Sequence, residues 1–331
     1  MPFGGAISIG KRERGNRMKT VFGLLPALFI LGCGSINDSR FPGDATFVKD
    51  ARLQSSQGLP DVSLAIVKTA ESKTREALFY SGGSWLKSRV GAHSAVLVRH
   101  LQGSFLFDTG LGQDMGRQFN DNMPFWLKPS MVYENHQSAQ TLLADEIKHR
   151  PIQKILLSHL HWDHASGIKD FPGVEVWTTK AEYEAAMSPS AHAGGYIPSQ
   201  YSGTAIPWRF IQFERVAYEN FAQSLDLFRD GSVVLVPLPG HTPGAMGMFV
   251  NLPSGKRLFF TGDTTWTVEG FQLPAHKFWV AALWADQDKT EIERSLLKVR
   301  RLMQEYPEML IVPTHDDRAQ SALGFYPKFI H

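Results

Sequence analysis

Apolar and polar positions follow two periods along most of the chain. From about residue 60, short apolar runs rich in β-branched residues recur between turn signals, the signature of strands. Val62–Lys68 and Ser94–His100 are such runs, and the second meets Ser104–Phe107 across Leu101-Gln102-Gly103, as in a hairpin. Ile155–Leu157, Val233–Leu238, Arg257–Thr261 and Met309–Val312 are four more. Gln137–Arg150 carries Leu142, Leu143 and Ile147 at helical spacing. Thr290–Tyr306 carries Ile292, Leu296, Val299 and Met303 on one face and stops at Pro307. This mix predicts an α/β domain over residues 46–331, with no repeat and no linker inside it.

The beginning of the chain breaks the pattern. Val21 to Gly32 is nearly all apolar or small and follows Met18-Lys19-Thr20. About a dozen residues are too few to span a bilayer comfortably but fit the apolar stretch of a signal peptide. The stretch ends in Ile30-Leu31-Gly32-Cys33, and Cys33 is the chain's one cysteine. This run resembles the bacterial lipobox, which implies cleavage before Cys33 and a lipid on it. An ordinary secretory signal and a membrane-tethered helix are the alternatives. The expected organisation is a signal peptide over 1–32, with Met18 as an alternative start, and a Gly-, Ser-, Asn-, Asp- and Pro-containing tether over 33–45. The implied location is the bacterial cell envelope, anchored in the outer membrane and facing the periplasm.

Composition narrows the chemistry. A single cysteine excludes an internal disulfide and any multi-cysteine metal site. The formal charge is +2, but residues 1–32 hold five basic residues and one acidic, +4 in all, so −2 is left on the remaining 299. No basic excess remains to track a phosphate backbone, and nucleic acid is not an expected partner.

The candidate chemistry lies just beyond the strands. Ser158-His159-Leu160-His161-Trp162-Asp163-His164 follows Ile155–Leu157. Pro239-Gly240-His241 follows Val233–Leu238, Thr261-Gly262-Asp263 follows Arg257–Phe260, and Pro313-Thr314-His315 follows Met309–Val312. Strand ends are rigid, and loops leaving them can converge on one rim. In extended backbone residues i and i+2 point the same way, so His159 and His161 can grip one ion, completed by His241. Asp163 and His164 can grip a second, completed by His315. Asp263 can bridge, because a carboxylate has two oxygens. The nitrogen and oxygen donors suit Zn²⁺ and admit Mn, Co or Fe, so the expected cofactor is two divalent ions, zinc first. The histidines at 93, 100, 136, 149, 192, 276 and 331 lack such a context and receive no role. No Ser–His–Asp arrangement is evident around Ser158.

HLHWDH, with Phe107-Asp108-Thr109-Gly110 upstream and His241, Asp263 and His315 downstream, resembles the metallo-β-lactamase superfamily over about residues 60–320. The resemblance implies a four-layer αβ/βα sandwich with a dinuclear site at the sheet edge and the ligand assignment above, with Asp108 supporting from behind. SHLHWDHASG, FLFDTG and PTHD are most similar to N-acyl-homoserine-lactone lactonases. Those enzymes carry a tyrosine three residues after the bridging aspartate, where this chain has Trp266. The implied reaction is attack of a metal-bridged hydroxide on an ester or lactone carbonyl, with Asp163 or Asp263 carrying the proton to the leaving oxygen. Arylesterase, phosphotriesterase, thioesterase and β-lactamase-like activities stay open, as does a non-catalytic surface lipoprotein.

Substrate contacts are expected from the apolar stretch Met115–Tyr133, above all Phe125 and Trp126, and from Trp266, with Phe271 and Trp279 as an opposite wall. The competing expectation is a loop packed on the core by those same aromatics.

Overall fold

The alternating apolar runs form two sheets whose central strands are buried on both faces. The computed structural model describes residues 36–49 and 58–331, except 124, 126–127, 129–131, 192–194 and 203–204. The strands are β1 Val62–Arg75, β2 Ser88–His100, β3 Gly103–Phe107, β4 Glu134–Asn135, β5 Ile152–Leu156, β6 Glu175–Thr179, β7 Trp208–Ile211, β8 Leu225–Asp226, β9 Val233–Pro237, β10 Met246–Asn251, β11 Arg257–Phe260 and β12 Leu310–Val312. One sheet has the order β4-β1-β2-β3-β5-β6-β7 and the other β12-β11-β10-β9-β8.

Period-2 alternation sets the layers. Val96 and Val98 of β2, Phe105 and Phe107 of β3, and Val233 and Leu235 of β9 meet in the core between the sheets. Leu97 and Leu106 point the other way, under Ala139, Leu143, Ile168 and Ala186. Val234 and Val236 of β9 turn outward onto Leu296, Val299 and Leu302 of the Lys289–Glu305 helix. The result is the four-layer sandwich of the sequence expectation.

The expected hairpin closes through Leu101-Gln102, with His100 opposite Gly103. The expected helix over 137–150 is two short ones, Ala139–Leu142 and Ala144–His149, because Leu143 leaves helical geometry (φ −94°, ψ 11°). Residues 36–45, placed in a tether by composition, are docked: Ile36 N–H donates to Pro274 O at 3.2 Å, and the Arg301 guanidinium donates to Phe41 O at 2.6 Å. The expected signal peptide over 1–32 and Cys33 lie outside the described residues.

Strand direction positions the site. β9 and β11 both run antiparallel to β10, and β12 runs parallel to β11. The loops bearing His241, Asp263 and His315 therefore leave one rim. β3 and β5 are parallel, so Asp108 and His159 leave a common rim of the other sheet. Met246 N–H donates to Ser158 O at 2.9 Å and ties the two rims together.

Candidate metal centre

The seven expected ligands converge and are all buried. His159, His161 and His241 form one compact group of donor atoms, His159, His164 and Asp263 a second, and His93, Asp163 and His315 a third. His315 Nε2 lies 3.1 Å from Asp263 Oδ2 and 3.3 Å from Asp163 Oδ2. His164 Nε2 lies 3.3 Å from Asp263 Oδ1, and His241 Nε2 3.7 Å from Asp263 Oδ2. Asp263 thus touches both halves of the cluster.

In four of the five histidines the outward nitrogen is tied down. His164 Nδ1–H donates to Asp108 Oδ2 at 2.9 Å, His241 Nδ1–H to Asp286 Oδ1 at 2.8 Å, and His315 Nδ1–H to Ala92 O at 2.7 Å. His159 Nδ1–H is 3.0 Å from Ser158 Oγ, which itself donates to Asp108 Oδ2 at 2.8 Å. Asp108 adopts φ +60°, an unusual conformation outside glycine, and so presents both oxygens to Ser158 and His164. With Nδ1 committed outward, Nε2 carries the inward lone pair. The Nε2 atoms of His159, His161, His164 and His241, and Asp263 Oδ1, are buried with no hydrogen-bond partner. Buried polar atoms are rarely left so, and clustered imidazole and carboxylate donors of this kind fit divalent cations.

The electrostatics agree. Burial, reinforced by neighbouring histidines, holds His159 and His161 well below the usual imidazole range, and burial with the nearby Lys277 lowers His241. These rings are neutral, as a ligand must be. Burial works against charge at His164 and His315 too, but Asp108 and Asp263 at the first and Asp263 at the second outweigh it and raise both. With no cation in the cluster, these carboxylates favour the charged form of the two rings.

Residues without a sequence signal complete the surroundings. His93, given no role from sequence, is buried on β2. Its Nδ1–H donates to Asp163 Oδ2 at 3.0 Å, and its Nε2 is 2.8 Å from Ser72 Oγ. Ser72, His93 and Asp163 thus stand in the order of a nucleophilic triad. Asp163 also faces His315, so the row orients that carboxylate within the cluster. Lys277, buried, donates to Asp286 Oδ1 at 2.6 Å and thereby neutralises the carboxylate behind His241. A histidine inside an alternating strand and a lone lysine carry no periodic mark, and only the fold brings them to the site.

A cavity of about 230 Å³ opens onto the cluster, lined chiefly by Phe79, Trp266, Phe278, Val280 and Trp284. Trp266 lines it as expected, and its Nε1–H donates to Asp263 Oδ2 at 3.0 Å. Phe125 does not: it is 84% exposed, and Met115, Phe119 and Met123 of its stretch pack on Trp162 instead. Trp126 lies outside the described residues. Phe271 faces the outer core under the Lys289–Glu305 helix. Trp279 is exposed, and the other face of its helix, Trp279–Ala285, forms the pocket wall.

A family model described as the metallo-beta-lactamase superfamily matches residues 88–315. The N-acyl homoserine lactonase AttM of Rhizobium radiobacter is 28% identical over 179 residues, 54% of this chain and 63% of that protein. The chain thus spans under two thirds of that relative's length. The protein of the same name from Azorhizobium caulinodans is 27% identical over 240 residues, 70% of this chain and 85% of that one. A solved variant of B. thuringiensis AiiA with N-decanoyl-L-homoserine at its active site superposes with a TM-score of 0.62 at 19% identity, covering 82% of this chain and 100% of that one. That likeness shows the fold.

Proposed function

The chain belongs to the metallo-beta-lactamase superfamily of metal-dependent hydrolases, and on that premise we propose that it is a dinuclear enzyme opening lactones or esters of the N-acyl-homoserine-lactone kind. The observation that carries the proposal is the buried cluster in which the Nε2 atoms of His159, His161, His164 and His241 lack hydrogen-bond partners. His159, His161 and His241 would hold one ion, Asp163, His164 and His315 a second, and Asp263 both, with zinc suited to this donor set. Such ions, when bound, polarise a carbonyl oxygen and lower the pKa of a water.

The chain's residues do the rest. Phe79, Phe278, Val280 and Trp284 keep the pocket apolar, which favours an acyl tail and excludes water. His93 holds Asp163 Oδ2, so Oδ1 is the atom that can take a proton and deliver it to the leaving oxygen. Trp266 donates to Asp263 and so orients it. An indole N–H is a donor only, so it is no acid for the leaving group. Lactonase names among the relatives support the substrate class.

The test is a panel on metal-loaded protein: N-acyl homoserine lactones of increasing chain length, aryl esters, thioesters, phosphotriesters and β-lactams. Fastest turnover on the lactones is expected. Far faster turnover of phosphotriesters or β-lactams would remove the substrate assignment and leave the metal site standing.

A further inference from the structure

Beside the pocket mouth lies an apolar surface that the active site does not use. Leu86 is 90% exposed, Leu283 80%, Trp279 59% and Trp85 51%. Trp85 and Trp279 are joined through Phe278: its ring centroid is 5.5 Å from that of Trp85 and 5.9 Å from that of Trp279, and Leu86 follows Trp85 in the chain. Leu283 sits one helical turn beyond Trp279 on the same face. Phe278 also lines the pocket, whereas Trp85, Leu86, Trp279 and Leu283 do not. The four therefore form a collar outside the mouth.

Two further observations identify what covers it. First, exposed cations flank the collar: Lys87 follows Leu86, and Arg75 donates from its guanidinium to Leu86 O at 3.4 Å. Tryptophan and leucine beside lysine and arginine are the composition of segments that sit at a lipid–water boundary, with rings and stems in the apolar layer and charges among headgroups. Second, Ile36 is hydrogen-bonded to Pro274, only four residues from Phe278. Cys33, the expected lipid-bearing residue, is three positions before Ile36 in the sequence.

We propose that the collar of Trp85, Leu86, Trp279 and Leu283 docks on a lipid bilayer surface, so that the pocket opens at the membrane. The leader and lipid are separated from the collar by a local probe. Cys33 is the only cysteine, so Cys33→Ser followed by Leu86→Cys or Leu283→Cys gives single labelling sites for an environment-sensitive fluorophore. Lys256→Cys is the control: it immediately precedes β11, at the end away from Asp263. With phosphatidylethanolamine–phosphatidylglycerol vesicles, labels at 86 and 283 are expected to shift to the blue and gain intensity, and the label at 256 to stay unchanged. In the unlabelled Cys33→Ser chain, Leu86→Glu with Leu283→Glu should weaken the collar's insertion about tenfold, read as loss of tryptophan quenching by brominated lipid, while hydrolysis of a soluble ester is unchanged. Unshifted labels at 86 and 283 in the presence of vesicles overturn the proposal. So does a blue shift that needs only higher protein concentration, since a second copy would then cover the collar.

Discussion

At the residue scale, the site is a set of histidines held by what stands behind them. His93 tests this directly. Removing its hydrogen bond frees Asp163 to rotate, and losing such an outer partner costs about 10- to 100-fold in metal affinity or activity. His93→Ala is expected to lower kcat and metal content with a smaller change in KM, and His93→Asn, which keeps a donor, to recover part of the loss. Ser72→Ala should keep most of the activity, because Ser72 orients His93 and is no nucleophile. Abolished turnover in Ser72→Ala, with metal content intact, would reverse that assignment.

The pH dependence follows from the same contacts. The folded pKa values of His164 and His315 are raised by carboxylates. Their pairing therefore stabilises the metal-free protein fully below the unfolded value, near 6.5, and is lost as pH rises through the folded values. A metal ion held by these rings would displace those protons. The rise in Tm on adding zinc should thus be larger at pH 8 than at pH 6, measured by thermal melts at both. An equal or smaller rise at pH 8 would contradict the account.

At the element scale, the loops carry the constraint. Gly240 precedes His241 at φ +125°, and a Cβ there would lie 2.3 Å from Ile292 N at the start of the Lys289–Glu305 helix. Gly240→Ala must shift backbone against backbone, at a cost of about 1–3 kcal/mol in stability. It should also displace His241, so metal binding falls along with Tm. The convergence of the seven candidate ligands was legible in the sequence because each follows an apolar strand, and a period-2 strand with a stop fixes where its last residue points. The Lys289–Glu305 helix was legible because Ile292, Leu296 and Val299 recur at its pitch and are buried as expected. The Trp279–Ala285 helix was not: it is apolar on every side, and nothing in WVAALWA separates the face on the pocket from the exposed one. Phe125 and Phe271 failed for a related reason. An aromatic residue in an irregular segment serves core, pocket or surface equally well until neighbouring segments take their places.

At the scale of the whole molecule, the pocket draws its walls from distant parts of the chain, and that assembly sets selectivity. About 0.8 kcal/mol per buried CH₂ is available from an acyl tail. Longer N-acyl homoserine lactones should show lower KM with smaller changes in kcat, checked by steady-state kinetics over a chain-length series. The proposed lipid on Cys33 belongs to this scale too: a fatty-acid analogue should label the wild type and spare Cys33→Ser, and an unmodified Cys33 in the intact mass would remove the anchor.

The central claim, that the buried histidine and aspartate cluster works as a two-metal hydrolytic centre, meets its most direct test in a titration. Metal-free protein is titrated with zinc while hydrolysis of an N-acyl homoserine lactone is followed. Activity is expected to start near zero, rise with added zinc and level off at about two equivalents per chain, with His161→Ala and Asp263→Ala failing to reach that plateau. Full activity in the metal-free protein, unchanged by zinc, would contradict the account.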